Sequence, residues 1–132
     1  VAVNGHPMSR RMEQVVGSSV DLDVVQQVRN LIGERRKVLV TLDSNHSHDH
    51  VLRELELYSP LVSEGSYIVA MDGLQRYVHD IPRGKPEWKH DNPYTALHDF
   101  IAENPEWETD PHYNRLKVTS NPDAFLRRKQ EF

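Results

Sequence analysis

Apolar residues recur along this chain with two different rhythms, and the changes of rhythm mark its elements. Between Asp21 and Arg35 they fall at Leu22, Val25, Val28, Leu31 and Ile32, an i, i+3, i+4 spacing that predicts a helix with one buried stripe. Ser19 or Asp21 is suited to cap its start, and Gly33 stands near its end. Val38–Leu42 is then apolar throughout except for Thr41, as expected of a strand buried on both faces. Beyond the polar stretch Asp43–Asp49 (DSNHSHD), the helical spacing resumes at Val51, Leu52, Leu55, Tyr58, Leu61 and Val62, with Pro60 at its close. Ser66–Met71 (SYIVAM) predicts a second buried strand, ended by Asp72-Gly73.

The remaining elements are shorter. Met12–Val16 is a β-prone run stopped by Gly17-Ser18-Ser19, and the stretch before it, Val1–Arg11, reads as a loop. Leu74–Asn92 has no period and carries Pro82 and Pro86, and a connection of that length in a compact domain is usually functional or mobile. Pro93 suits a first helical turn, with Tyr94, Leu97, Phe100 and Ile101 on one face. Trp107–Thr109 and Leu116–Val118 read as two strands about the turn Asp110–Asn114. The tail Asn121–Phe132 is polar and basic, with Phe125 and Leu126 as its anchors. Strands alternating with helices predict an α/β doubly wound sheet, mostly parallel, with a C-terminal antiparallel hairpin. Residues 1–132 show no linker and form one domain in this reading.

Composition narrows the function. With 16 Lys+Arg against 20 Asp+Glu, the 132-residue chain has a formal charge of −4 and lacks the basic face that duplex nucleic acid requires. Its apolar runs fall short of the roughly 18 residues of a membrane span, so a cytoplasmic setting is expected. The absence of cysteine excludes disulfides and thiolate metal sites. Eight histidines and twenty carboxylates leave an oxygen- and nitrogen-donor metal site open.

Three polar clusters fall at predicted strand ends, where open α/β sheets bind ligands: Gly17-Ser18-Ser19, Asp43–Asp49 and Asp72-Gly73. Asp43 and Asp72 each follow a buried strand and could share a divalent cation such as Mg²⁺. His46, three residues after Asp43, has an imidazole suited to general-base work near neutral pH. The same residue types are also ordinary turn formers and caps. His48 and His50 read as surface or capping residues, because their spacing places no third zinc ligand beside them. Trp88, His90, Tyr94 and Tyr77 suit either the wall of a pocket or a plug between helix and sheet.

The strings HPMSRRMEQVVGSS, VLVTLDSNHSHDHVLRELELYSPLVSEGSYIVAMDG, DNPYTALHDFIAENPEWETD and NPDAFLRR together resemble the cephalosporin hydroxylase / rhamnosyl O-methyltransferase family. The resemblance implies a Rossmann-like class I methyltransferase fold and an S-adenosylmethionine-dependent, metal-assisted transfer to a hydroxyl of a sugar or secondary metabolite. It implies a metal at Asp43 and Asp72, a base at His46, and cofactor contacts at Gly17, Ser18, Ser19 and Asp43. Where the family has a Glu-Asp pair at the fifth strand, this chain has Met71-Asp72, and a thioether is a poor Mg²⁺ ligand. The resemblance also implies that the chain starts just before the fold's third strand and lacks the first two, with their glycine-rich turn and ribose-binding carboxylate. Weak binding of S-adenosylmethionine by the isolated chain follows. So does an open edge on Val38–Leu42, relieved by a second copy of the chain or by the missing segment in trans.

Overall fold

The computed structural model describes residues 5–130, so Val1–Asn4 of the predicted N-terminal loop and the last two residues of the tail lie outside it. Three eleven-residue helices, α1 (Leu22–Ile32), α2 (His48–Tyr58) and α3 (Pro93–Glu103), accompany four strands. The strands are β1 (Val40–Leu42), β2 (Tyr67–Ala70), β3 (Trp107–Thr109) and β4 (Phe125–Arg128), arranged in one sheet in the order β1-β2-β4-β3. β1 and β2 are parallel, and β4 runs antiparallel to both β2 and β3, so β4 alone opposes the other three. The expected mixed α/β class and antiparallel C-terminal hairpin are both present.

Local chemistry explains the helix ends. Gly33 closes α1 at φ 54°, a left-handed conformation that glycine adopts without a Cβ penalty, and its N–H donates to the Arg29 carbonyl at 3.2 Å. Asn92 caps α3 from both sides: its Oδ1 accepts from Thr95 N–H at 3.0 Å, and its Nδ2 donates to the Trp88 carbonyl at 2.7 Å. Pro93 follows at the first helical position, where no N–H is needed.

Ile68 and Ala70 of β2, Leu42 of β1 and Leu126 of β4 pack against Val51 and Leu55 of α2 and against Ala96, Leu97 and Phe100 of α3. Val25 of α1 and Trp107 of β3 complete this core. Leu55, Ile68, Leu97 and Leu126 are fully buried, each contributing roughly 1.5–3 kcal/mol of transfer free energy. No helix among the described residues is long and apolar enough to cross a membrane.

Three expectations are corrected. Met12–Val16 forms no strand, and Val16 is 94% exposed, outside the sheet. Leu116–Val118 is also not a strand. Leu116 and Val118 are 78% and 87% exposed, and the hairpin partner of β3 is instead Phe125–Arg128, inside the stretch read as a tail. β4 was hidden because only Leu126 of its four residues is fully buried, with two arginines beside it. Finally, the described helices contribute to a single core on one face of the sheet. The second face is covered near β4 by Tyr113, stacked on Phe125 at 4.0 Å, and Thr41 of β1 is exposed rather than buried.

Candidate functional site

Parallel pairing of β1 and β2 brings their carboxyl ends together. The Met71 N–H donates to the Leu42 carbonyl at 3.0 Å, so the next residue of each strand, Asp43 and Asp72, emerges at the same edge. Asp72 sits at φ 62°, in the left-handed region that aspartate tolerates better than most side chains. Its N–H is anchored to Asn121 Oδ1 at 2.8 Å, tying this turn to the segment that leads into β4.

His46 stands between the two carboxylates. Its Nε2 lies 3.3 Å from Asp43 Oδ1, and its Nδ1 lies 3.8 Å from Asp72 Oδ2 and 3.1 Å from Gln75 Nε2. One ligand atom from each of Asp43, His46 and Asp72 falls within 4.8 Å of the others. Two carboxylates and one imidazole suit a hard or borderline divalent cation such as Mg²⁺ or Mn²⁺. All three residues keep some solvent access, so a small substrate could reach them. A Gln75 Nε2–H donated to Nδ1 is compatible with the tautomer whose Nε2 proton faces Asp43.

A second network stands beside the first. Glu54, buried within α2, accepts from Ser44 Oγ at 2.7 Å through one oxygen, and its other oxygen has no partner among the described residues. His50 Nε2 lies 3.1 Å from Ser19 Oγ, 3.3 Å from Ser44 Oγ and 3.6 Å from Glu54 Oε1. Tyr58 donates to the Ser19 carbonyl at 2.9 Å, and burial together with the Glu54 charge raises its pKa. These bonds hold the Gly17–Ser19 turn against the segment that carries Asp43.

The predicted site residues therefore divide. Asp43, His46 and Asp72 form one cluster. Gly17 has φ 155°, and a Cβ there would meet the Val24 side chain at 2.5 Å, so close packing on α1 explains the glycine. Ser18 is exposed and its carbonyl accepts from Asp21 N–H at 3.0 Å, while the Ser19 hydroxyl is engaged with His50. His48 and His50 are structural tethers more than caps. His48 donates its backbone N–H to Asp91 Oδ1 at 2.6 Å, and its ring bonds Asp49 at 2.8 Å and Asp99 at 2.9 Å, joining α2 to α3. Burial opposes charge on His48, but its bonds to Asp49 and Asp99 outweigh that and raise its pKa.

Sequence reasoning missed two residues. Glu54 lies on the apolar stripe with Val51, Leu55 and Tyr58, a signal that its charge is turned inward. Gln75 carries no sequence signal beyond its place three residues after Asp72.

His46 also borders a cavity of about 290 Å³, lined by Asn45, Ser47, Gln75, Lys85, Glu87, Trp88 and Asp91. Of the aromatic residues read as a possible pocket wall, Trp88 lines this one, beside the acidic cluster. Tyr77 and Tyr94 meet edge to face at 5.6 Å and line a separate cavity near Asp123.

A 70-residue segment is 40% identical to proteins named rhamnosyl O-methyltransferase from Mycobacterium tuberculosis and Mycobacterium bovis. It covers 50% of this chain and 29% of each relative, so the chain matches well under half of their length. No solved structure matches the chain. The rhamnosyl O-methyltransferase/CmcI family model matches residues 1–129, nearly the whole sequence, and this chain belongs to that family.

Proposed function

We propose that this chain carries the acceptor-activating face of an S-adenosylmethionine-dependent, cation-assisted O-methyltransferase acting on a sugar or secondary-metabolite hydroxyl. The convergence of Asp43, His46 and Asp72 at the carboxyl ends of two parallel strands carries this reading. The strand order β1-β2-β4-β3 with β4 reversed is that of the fourth, fifth, seventh and sixth strands of a Rossmann-like methyltransferase sheet. It supports a Rossmann-like reading of these four strands. Among the described residues β1 is paired on one side only, which supports completion by a second copy or by a segment in trans.

S-adenosylmethionine supplies an electrophilic methyl group, and a divalent cation held by Asp43 and Asp72 supplies charge that acidifies a nearby hydroxyl. His46 takes the acceptor proton at Nδ1, with Gln75 turning aside, while Asp43 holds the Nε2 proton and orients the ring. The deprotonated oxygen would then be the nucleophile for the methyl group that S-adenosylmethionine would supply.

Met71 favours a second reading. It offers no third carboxylate beside Asp72, as a non-catalytic α/β binding module derived from an enzyme would not need one. Transfer of labelled methyl from S-adenosylmethionine to methyl rhamnoside separates the two. The enzymatic reading expects transfer that is lost on chelation and in Asp43→Asn and His46→Gln. Transfer indifferent to all three would overturn the mechanism, and no transfer by folded, cation-loaded protein that has been shown to bind S-adenosylmethionine would favour the binding module.

A further inference from the structure

The cavity beside His46 has a composition that the methyl-transfer chemistry does not itself require. Its floor is the Asn45–Ser47 turn that leads into α2, and its far wall is the segment from Lys85 to Asp91. Within that segment the turn Pro86–Lys89 presents the half-buried Trp88 indole, with the Lys85 ammonium 5.8 Å from the ring centroid. Asn92 fixes this wall, because its side chain holds the Trp88 carbonyl at 2.7 Å while capping α3. The indole is thus carried on a rigid support.

The polar groups are of two kinds. The side chains of Lys85 and Glu87 make no hydrogen bond or ion pair among the described residues, and both line the cavity. Asp91 already accepts from the His48 N–H, and the Asn45 side-chain oxygen accepts from the Ser47 N–H, so these two hold the walls. An ammonium donor and a carboxylate acceptor beside an aromatic face suit a saturated ring with one C–H face and a rim of hydroxyls, each able to donate and accept. Two carboxylates against one ammonium disfavour a phosphorylated ligand. A volume of about 290 Å³ lies at the small end of ligand pockets and fits a single sugar ring better than a nucleotide.

We propose that this cavity is the acceptor subsite, in which a glycosyl ring stacks on Trp88, is oriented by Lys85 and Glu87, and turns one hydroxyl toward His46. This rests on the methyl-transfer reading and deepens it by naming the groups that choose the substrate. Trp88 is a positioning residue here, because it contacts the ring and not the transferred methyl.

The chain has two tryptophans, and Trp107 is 3% exposed in the core, so its indole N–H is an internal control. In a nuclear magnetic resonance titration with methyl rhamnoside, without cofactor, the Trp88 indole signal should shift saturably while that of Trp107 stays in place. Glu87→Gln and Lys85→Met should each weaken binding by about tenfold with both indole signals still dispersed. In a transfer assay Trp88→Leu should raise KM for the sugar with little change in kcat. An unmoved Trp88 signal in folded protein, or an unchanged KM in Trp88→Leu, would overturn the subsite while leaving methyl transfer standing. Saturable binding at Trp88 in a protein that binds S-adenosylmethionine yet transfers no methyl would uphold the subsite and overturn the transfer reading.

Discussion

Asp72 offers a perturbation in which folding and function should move in opposite directions. Its φ of 62° costs a non-glycine residue about 1 kcal/mol. Its carboxylate lies within 4.8 Å of an Asp43 carboxylate oxygen, a repulsion of about 1 kcal/mol at the dielectric of water, which suits these solvent-accessible groups. Replacement by glycine removes both costs and adds about 0.5–1 kcal/mol of unfolded-chain entropy. The Asp72 N–H bond to Asn121 is a backbone donation and survives the change. Asp72→Gly is therefore expected to stabilise the cation-free protein by about 1 kcal/mol, or roughly 3–5 °C in Tm for a chain of this size. Asp72→Asn should stabilise by up to about 1 kcal/mol, since asparagine tolerates this conformation and removes the charge repulsion. Urea unfolding in the presence of a chelator measures the difference. With a divalent cation present the ranking should reverse, because only the wild type gains stability from binding. Destabilisation by Asp72→Gly of 1 kcal/mol or more in chelator would refute the reasoning and make the side chain a structural cap.

Asn92→Ala should cost about 1–3 kcal/mol, since it leaves Thr95 N–H and the Trp88 carbonyl without their buried partner; thermal melting checks this. The raised pKa of His48 means its charged form is favoured by folding, through Asp49 and Asp99 and with the Asp91 carboxylate on its backbone N–H. That stability is fully present below the unfolded pKa of about 6.5 and is lost as pH rises through the higher folded value. Urea unfolding from pH 6 to 8.5 should show the decline, and His48→Gln should flatten it. Met71→Glu should tighten cation binding by supplying a third carboxylate next to Asp72, measured by calorimetry with Mn²⁺.

The parts of this fold that were legible in the sequence are those with a strong period or an unbroken apolar run. α1, α3 and β2 lie where their spacing places them, and Asp43 and Asp72 follow from strand ends alone. β4 was not legible because its partners, rather than its own residues, make it a strand: Arg127 pairs in register with both Tyr67 and Glu108, yet its side chain reaches solvent. Conversely, Val16 and Val118 have the residue types of strands and stand exposed outside the sheet. At the site, His46 was legible from its spacing to Asp43. The approach of Gln75 depends on the turn Gly73–Tyr77 folding back across the sheet edge, which a single chain's pattern does not encode.

The central claim is that Asp43 and Asp72 hold a catalytic cation while His46 acts beside it as a base. Mn²⁺ binding, followed by electron paramagnetic resonance for the wild type, Asp43→Asn, Asp72→Asn and His46→Ala, tests it most directly. The account predicts one Mn²⁺ per wild-type chain, affinity reduced about 10-fold or more by either aspartate substitution, and affinity changed by less than about 3-fold in His46→Ala. Unchanged binding in both aspartate variants would contradict the site, and loss of binding in His46→Ala would make the imidazole a ligand and not the base.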